Sequence, residues 1–480
     1  MKKYQEILLA LATSHDIIPK NDPRIESYRE DTMHRGDPDA VVRARDEREV
    51  KEVLQFCFEH RIPVTICGSQ TSMTGASVAE EGLLLSTERL EGLISLDQDT
   101  RGTTATFRGG TITADVQRLV EEAGYFYPVA PTSRESCRIA ANVATNASGE
   151  DSYKYGPCRT YVRRLKVLLA DGSERVIERP RDHIPSQERN RAGYMLQGAQ
   201  PLDLFIGSEG TLGLITEVTL DLLPRSPSFF AMLLPFSDQR KGLHALIDLT
   251  QKRTQSLRAL EFVDDEACRT MKTHPDFPTA LREARALIYL KQEWRDERER
   301  AQLLSWWCEW IEKQGENAEI AFVATTEKKR KMLQAFRHHI PKTVNEEARK
   351  YWSQGGGKIG SDWWVPVKHL MEITDFFYTE VAKAGLRGMA YAHMGSGHPH
   401  TNIVTKNREE YQKGMQILRK CCEKAVFFGG GVAGEHGIGK IHRDLLCIQH
   451  SSAMISQMKK WKQEYDSHFL LGRGNLFDVV

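Results

Sequence analysis

Apolar residues recur at helical spacing in the first quarter of the chain. Within residues 47–60 they stand at i, i+3, i+4, i+7 and i+8, which is one face of a helix: Val50, Val53, Leu54, Cys57 and Phe58. A second amphipathic helix is predicted over Thr113–Ala123, where Gly124 supplies the left-handed residue that commonly ends a helix. Short apolar runs between the two helices predict strands at 62–66, 83–86 and 103–107.

The middle of the chain alternates short strands with charged helices. Asp171-Gly172 is a strong hairpin signal, and the β-rich run Leu212–Leu223 closes at Pro224. From Phe229 to about Phe322 strands and long helices alternate, an order that resembles split β-α-β units on an antiparallel sheet.

These patterns predict an α+β protein with two domains. We expect a first domain over residues 1–225 and a second α+β domain over residues 226–425. The glycine-rich stretch near residue 429 and two helices after it form a C-terminal segment, residues 426–480, that we expect to return to the first domain.

Bulk composition narrows the class of protein. Lysine plus arginine number 66 against 65 for aspartate plus glutamate, so the net charge of +1 argues against a dedicated nucleic-acid-binding protein. The nine cysteines are scattered without a C-x-x-C pair, which argues against a disulfide framework or an iron–sulfur module and favours a cytoplasmic protein. No run reaches the roughly 18 apolar residues of a membrane span, which leaves peripheral attachment to a membrane open.

A loop rich in small residues, Gly68–Gly75, follows the strand predicted at 62–66. Small side chains let backbone N–H groups and hydroxyls approach a pyrophosphate closely. The loop lacks the G-x-G-x-x-G dinucleotide pattern, so a solvated Gly/Ser turn remains an alternative for this loop alone. Further small-residue segments follow at 131–133, 139–149 and 203–217.

Taken in order, these segments resemble the FAD-binding domain of the vanillyl-alcohol oxidase / p-cresol methylhydroxylase superfamily. The resemblance implies a two-subdomain FAD-binding domain followed by a ferredoxin-like α+β cap domain that binds substrate. It implies that the pyrophosphate of FAD is held by Gly68, Ser69, Gln70, Thr71, Ser72 and Gly75. It implies that the rest of FAD is lined by Pro131, Thr132, Ser133, Ala141, Asn142, Thr145, Glu209, Gly213 and Ile215.

The sequence departs from the family pattern at two places, one in the first loop and one before Asn142. The usual triple glycine reads Gly68-Ser69-Gln70, and the usual Gly-Gly before Asn142 reads Ala140-Ala141. The first loop, Gly68–Gly75, contains no histidine, the residue through which covalent members attach the flavin, so we expect FAD to be bound non-covalently.

A histidine cluster lies further along the chain. Three histidines fall within eight residues at His393, His398 and His400, and a later glycine-rich stretch places Glu435 beside His436. Two imidazoles and a carboxylate suit a divalent transition metal that acts as a Lewis acid. The spacing alone leaves open that these are hydrogen-bonded core or surface histidines.

These segments resemble the FAD-linked 2-hydroxy-acid dehydrogenases of the D-lactate, glycolate-oxidase and D-2-hydroxyglutarate types, with motifs H-x-G-D-G-N-x-H and G-E-H-G-x-G. The resemblance implies that His393, His400 and Glu435 hold a divalent metal (Zn, Mn or Fe) and that His436 is the general base. Ser396 and His398 replace the motif's Asp and Asn, which leaves His398 as an extra metal ligand or a substrate contact.

The expected reaction is the oxidation of a small 2-hydroxy acid, most consistent with the D configuration, to the 2-oxo acid. His436 takes the hydroxyl proton while the Cα hydride passes to flavin N5. Arg337 and Lys358 match the family's carboxylate-binding positions, and either cation suits a carboxylate.

Three alternative functions are weighed against this one. Residues 434–441 nearly match the P-loop of nucleotide triphosphatases, but Ile441 stands where that loop needs a hydroxyl for Mg²⁺. An alkylglycerone-phosphate synthase-like transferase and a flavin-binding subunit of a multi-subunit oxidase also remain. The sequence leaves open the electron acceptor (quinone, cytochrome or electron-transfer flavoprotein), the oligomeric state and the need for partner subunits.

Overall fold

The computed structural model describes residues 4, 8, 11, 15–100, 102–180, 182, 183, 185, 189–195, 200–251 and 256–478. The chain divides into two compact units. The first unit comprises the chain through Gly149, Gly156–Ser226 and the chain from Ala433 onward, and the second unit comprises Glu150–Tyr155 and Pro227–Val432. Helices and sheets are mixed in both units, which confirms the predicted α+β class.

The sequence predicts domain boundaries after residues 225 and 425. In the structure the units change after Ser226 and after Val432. The six residues Glu150–Tyr155, which were expected in the first domain, lie in the second unit.

Two sheets form the first unit. In one sheet, in the order β1-β2-β4-β3, the last three strands are parallel: β1 Ile17–Pro19, β2 Ala40–Arg43, β3 Val64–Cys67 and β4 Leu83–Ser86. The other sheet is antiparallel in the order β5-β6-β10-β8-β9, with β7 also paired to β10. Its strands are β5 Leu93–Asp99, β6 Gly102–Arg108, β7 Tyr125–Phe126, β8 Val162–Leu168, β9 Glu174–Glu178 and β10 Leu214–Pro224.

One antiparallel sheet forms the second unit, in the order β14-β11-β13-β12-β16-β17-β15 among the described residues. Its strands are β11 Ser228–Phe236, β12 Leu257–Val263, β13 Ala286–Trp294, β14 Phe322–Ala324, β15 Gly357–Gly360, β16 Arg387–Ala392 and β17 His400–Thr405. This pairing places the ends of β12, β15, β16 and β17 side by side, and the histidine cluster lies on the turn between β16 and β17.

Two helices, Glu47–Glu59 and Thr113–Glu122, fall where the apolar periodicity predicts them. The helices of the described residues are α1 Glu47–Glu59, α2 Thr113–Glu122, α3 Ile139–Ala144, α4 Ser152–Tyr155, α5 Pro201–Phe205, α6 Gln239–Gln251, α7 Asp265–Met271, α8 Glu297–Lys313, α9 Glu327–Arg349, α10 Leu370–Lys383, α11 Arg408–Phe427, α12 Arg443–Gln449 and α13 Ser452–Tyr465. Helix α1 begins where Asp46 accepts a hydrogen bond from the Glu49 N–H at 2.9 Å, a side-chain N-cap. None of the helices in the described part of the chain is long and apolar enough to cross a membrane.

The C-terminal segment returns to the first unit, as the sequence predicts. The Val64 N–H donates to the Leu470 carbonyl at 2.9 Å, and the Gly472 N–H donates to the Val64 carbonyl at 2.8 Å. The buried Lys462 ammonium donates to the Thr211 carbonyl and to Asp466. These contacts fix the last helices against strand β3 and the loop before β10.

Candidate functional site

The turn between β16 and β17 carries the three clustered histidines. His393 follows β16 directly and His400 begins β17. The turn depends on a left-handed backbone at Ala392 (φ +73°) and at Gly397 (φ +76°), where a Cβ on Gly397 would overlap the Val365 carbonyl. Only glycine fits at Gly397, which accounts for one of the glycines in the motif.

The three imidazoles face one another. The ring centroids of His393 and His400 lie 5.4 Å apart, and those of His398 and His400 lie 4.8 Å apart. Nitrogen atoms of His393 and His400 that could bind a metal lie within 4.8 Å of each other. This pair suits two nitrogen ligands of one ion.

Glu261, on strand β12, holds both His393 and Arg337. His393 Nδ1 lies 2.9 Å from Glu261 Oε1, while Arg337 donates from Nε to Oε2 at 2.5 Å and from Nη2 to Oε1 at 2.8 Å. Burial by itself raises the pKa of Glu261, but the charges of Arg337 and His393 outweigh it and keep that pKa well below its usual range. An anionic Glu261 favours the proton on Nδ1, so Nε2 of His393 carries the lone pair that a metal needs.

His398 is bound differently. Its Nε2 lies 3.0 Å from Asp362 Oδ1, and both residues are buried. A carboxylate oxygen of Asp362 and a ring nitrogen of His400 also lie within 4.8 Å of each other. Asp362 therefore joins the histidine cluster of the second unit.

Lys358 lies on strand β15 with only 7% of its surface exposed. Burial lowers the pKa of its ammonium to about 8. In the described ranges of the chain no carboxylate lies within ion-pairing distance of it, and burial is the whole cause of the shift. The register pairs Lys358 with Val404, so Lys358 and His400 point to the same face of the sheet. This buried cation is suited to an anionic ligand.

Glu261 and Asp362 contact predicted site residues, but the sequence did not single them out as candidates. Glu261 stands in the run Leu-Arg-Ala-Leu-Glu-Phe-Val, and a carboxylate inside an apolar strand needs a buried partner. That rule could have singled it out. Asp362 follows β15 in the run that starts at Lys358, and its sequence context alone carries no comparable signal.

In the first unit, the loop Gly68–Gly75 follows strand β3 as predicted. Ser69 accepts a hydrogen bond from Arg138 Nε at 3.0 Å, and Gln70, at φ +50°, donates from its amide to the Tyr28 carbonyl at 2.7 Å. The Gly75 N–H donates to Asp31 at 2.8 Å. Thr71 is exposed, and Ser72 Oγ lies 3.1 Å from Thr74 Oγ1.

Helix α3 packs against this loop. A Cβ on Gly68 would lie 3.1 Å from the Ala141 Cβ, so both positions require small residues. Asn142 donates to Thr113 Oγ1 at 2.6 Å, and Thr145 donates to the Ala141 carbonyl at 3.0 Å. The turn formed by Pro131, Thr132 and Ser133 is half-buried or exposed.

Glu209 binds the loop that carries Glu435 and His436. Its carboxylate accepts the N–H groups of Ile438 at 2.8 Å and Gly439 at 2.6 Å. Glu435 and His436 are half-buried between the buried Gly434 and Gly437. Glu209 thus positions this loop through its backbone.

Two other residues predicted to line FAD also lie in this unit. A Cβ on Gly213 would overlap the Val167 side chain on β8, and Ile215 is buried on β10. Gly213 is therefore required for packing in the first unit.

Lys440, the lysine of the near-match to a P-loop, has a structural role. Its ammonium donates to the Gly75 carbonyl at 3.2 Å and to Asn475 Oδ1 at 2.9 Å, and burial lowers its pKa to about 8. A Cβ on Gly439 would overlap the Thr74 carbonyl. The stretch 434–441 is therefore tied to the first glycine loop, an arrangement that argues against the triphosphatase alternative.

Two protein families match the chain, each over a different part of it. The FAD binding domain family matches residues 38–178, and the family of FAD linked oxidases, C-terminal domain, matches residues 227–476. The second match spans more than half of the chain and contains every histidine of the cluster.

Curated proteins of similar length are related to the chain. It is 28% identical to the glycolate oxidase subunit GlcD of Bacillus subtilis, with 99% of this chain and 97% of that protein covered. It is 26% identical to D-lactate dehydrogenase of Anaerostipes hadrus, with 92% and 89% covered. It is also 26% identical to D-2-hydroxyglutarate dehydrogenase of Stutzerimonas stutzeri, with 92% and 91% covered.

Solved structures share the fold. An alkyldihydroxyacetonephosphate synthase superposes with a TM-score of 0.71 at 15% identity, covering 98% of this chain and 84% of that one. The 4-ethylphenol oxidase of Gulosibacter chungangensis superposes with a TM-score of 0.70 at 12% identity, covering 99% and 96%. At these identities the likeness concerns the fold alone, so it does not favour the transferase alternative.

Proposed function

Because the chain belongs to the FAD-linked oxidases, in the 2-hydroxy-acid dehydrogenase branch of the vanillyl-alcohol oxidase / p-cresol methylhydroxylase superfamily, we propose that it oxidises a small D-2-hydroxy acid to the 2-oxo acid. The names of the relatives suggest lactate, glycolate and 2-hydroxyglutarate as the first substrates to try.

One observation carries the choice of substrate. The buried ammonium of Lys358 and the imidazole of His400 lie on the same face of one sheet. Their strands, β15 and β17, are neighbours that pair directly. A 2-hydroxy acid has a carboxylate for a buried cation and a hydroxyl for a neighbouring base or metal. A simple alcohol would leave the Lys358 charge without a partner.

Arg337 is the second cation that we propose for the substrate carboxylate. Its Nε and Nη2 are bound to Glu261, which leaves Nη1 to donate to the substrate carboxylate. His398 is fully buried against Asp362, and this favours a supporting role for His398 over direct contact with substrate.

The residues present fit a divalent metal. Glu261 fixes the tautomer of His393, and His400 offers a second nitrogen within 4.8 Å. We infer that these two histidines, with Glu435 as the carboxylate that the motif implies, would hold the ion. A metal bound there would supply Lewis-acid polarisation of the substrate hydroxyl.

The small-residue loops fit non-covalent FAD. The close approach of Gly68 and Ala141 brings two predicted FAD-binding segments together. Glu209, in a third such segment, accepts a hydrogen bond from the backbone of the loop that contains His436. Bound FAD would supply the hydride acceptor. His436 would then take the hydroxyl proton, a task suited to imidazole because its pKa is near neutral pH.

Turnover with an artificial dye as electron acceptor tests the substrate class. FAD-loaded protein is offered D- and L-2-hydroxy acids and, as matched compounds, alcohols of the same chain length without the carboxylate. We expect one or more D-2-hydroxy acids to be oxidised and the alcohols to be poor substrates. Equal rates with the alcohols would contradict the proposed role of Lys358.

A further inference from the structure

We propose that the hydroxyl of Tyr391 donates a hydrogen bond to the carboxylate of the substrate, beside the ammonium of Lys358. The inference rests on the proposed function, because it concerns how that site recognises a 2-hydroxy acid. It adds a neutral donor to the two cations already assigned to the carboxylate, and Tyr391 lies outside both sequence motifs.

The strand register places Tyr391 on the face of the sheet that carries Lys358. Tyr391 on β16 lies directly opposite His400 on β17, and Lys358 on β15 lies directly opposite Val404. Positions 400 and 404 point to one face, because side chains alternate along a strand. The rings of Tyr391 and His400 meet edge to face with centroids 6.2 Å apart. Tyr391 is therefore a neighbour of the histidine cluster and shares its face with the buried cation.

Polar groups of the second unit lie close to the phenol of Tyr391, of which only 9% is exposed. Burial raises the pKa of Tyr391 to about 12, while the positive charge of Arg337 and a hydrogen bond from Asn402 lower it. These two effects place Arg337 and Asn402 near the hydroxyl. The phenol keeps its proton at neutral pH and can act as a donor.

Asn402 leaves the hydrogen of Tyr391 available. A hydrogen bond that lowers the pKa of a phenol is donated to its oxygen, so the Asn402 amide is the donor. A phenol has its own O–H to donate as well as an oxygen that accepts. In the part of the chain that the structure describes, this O–H has no acceptor. A buried donor without an acceptor is unfavourable, and a substrate carboxylate would supply one.

Gly360 leaves room for a ligand beside these groups. It lies opposite Asn402 on the same face, and a Cβ there would lie 3.5 Å from Asn402 Oδ1 and 3.9 Å from Lys358 Cε. Because Gly360 has no side chain, nothing from this position covers the two residues. A carboxylate has two oxygens, so one can bind the Lys358 ammonium while the other accepts from Tyr391.

Binding of 2-oxo acids tests the inference without turnover. Pyruvate, glyoxylate and 2-oxoglutarate are each titrated into the FAD-loaded full chain, and calorimetry gives the Kd. Tyr391→Phe keeps the ring beside His400 and removes the hydroxyl. We expect its Kd to rise about tenfold, the effect of losing a hydrogen bond to a charged group. Tyr411→Phe, at an exposed tyrosine on α11, is the matched control and should leave the Kd unchanged.

Steady-state kinetics of Tyr391→Phe distinguish this role from a part in the chemistry or in stability. An interaction made equally in the bound substrate and in the transition state affects KM alone. We therefore expect the KM for the oxidised D-2-hydroxy acid to rise about tenfold with kcat little changed. An unchanged Kd for the 2-oxo acids, or a loss of kcat at an unchanged KM, would overturn the inference.

A second variant covers the case in which Tyr391→Phe does not retain FAD. Tyr391→Met also lacks the hydroxyl, its flexible side chain adapts to the space, and we expect the same rise in Kd. If the unaltered chain oxidises a 2-hydroxy acid while these variants bind 2-oxo acids normally, only this inference fails. If the unaltered chain neither binds a 2-oxo acid nor oxidises a 2-hydroxy acid, the proposed function fails as well.

Discussion

His393 Nδ1 lies 2.9 Å from Glu261 Oε1, and this contact determines which imidazole nitrogen is available to a ligand. Glu261 is itself bound by the Arg337 guanidinium through two hydrogen bonds. The three side chains form a connected series, with the buried Glu261 between Arg337 and His393, that ends at the histidine cluster. A histidine that binds a metal commonly has such an oriented carboxylate behind it.

Replacing Glu261 by glutamine should weaken metal binding. Glutamine keeps an acceptor for His393 but removes the charge that favours the Nδ1 proton and leaves Arg337 buried without a counter-ion. We expect a metal affinity about 10- to 100-fold lower, measured as bound metal after dialysis against graded chelator. Glu372→Gln, an exposed carboxylate on α10, is the control, and equal metal retention in both variants would refute the role of Glu261.

Lys358 should impose an upper pH limit on substrate capture. Its ammonium is charged below its pKa of about 8 and neutral above it, so the attraction for a carboxylate declines as the pH rises through that value. We expect kcat/KM to fall above pH 8, and Lys358→Met to lower kcat/KM at pH 7 mainly by raising KM. In Lys358→Arg the guanidinium stays charged, so the decline should move to higher pH. A pH profile that is identical in wild type and Lys358→Arg would count against this assignment.

Gly439 should tolerate no side chain. At φ +53° an alanine incurs about 1–2 kcal/mol of left-handed strain, and its Cβ would also overlap the Thr74 carbonyl. Gly124→Ala is the matched control, because Gly124 also has a positive φ (+88°) but has open space around its Cβ. We expect Gly439→Ala to lose more thermal stability and more FAD than Gly124→Ala. Equal losses would mean that the packing of Gly439 against Thr74 contributes nothing.

His436→Gln should separate FAD binding from chemistry. Removal of a general base typically costs a factor of about 10² to 10⁴ in rate, while the Glu209 contacts to the backbone of Ile438 and Gly439 remain. We expect FAD content to stay normal and flavin reduction by substrate to slow by that factor. His468→Gln, which alters a ring stacked on Phe58, should reduce at the normal rate. Normal reduction in His436→Gln would remove this residue from the proton transfer.

Local elements could be predicted from the sequence because their signals are local. The apolar spacing places α1 to within one residue of its observed end, and Asp171-Gly172 forms the turn between β8 and β9 with Gly172 at φ +77°. The glycine loop after β3 and the turn of clustered histidines were also found from short stretches of sequence.

Long-range partners could not be predicted in this way. Glu261 and Arg337 are 76 residues apart, and Glu209 and Ile438 are 229 residues apart, so no local pattern links them. Arg337 was assigned from the family resemblance as a substrate contact, but the pairing of two of its nitrogens with Glu261 is visible only in three dimensions. Residues Glu150–Tyr155 belong to the second unit, where Lys291 Nζ donates to Asp151 Oδ1 at 2.8 Å. The periodicity of apolar residues does not encode contacts of this kind.

The most direct test of the central claim is anaerobic reduction of the bound flavin by substrate. FAD-loaded protein is mixed with excess D-lactate, glycolate or D-2-hydroxyglutarate without oxygen, and the visible flavin band and the 2-oxo acid are measured together. The account predicts that at least one acid bleaches the flavin with one 2-oxo acid formed per FAD, more slowly when the hydrogen on Cα is replaced by deuterium. A flavin that stays oxidised with every D- and L-2-hydroxy acid tried would contradict it.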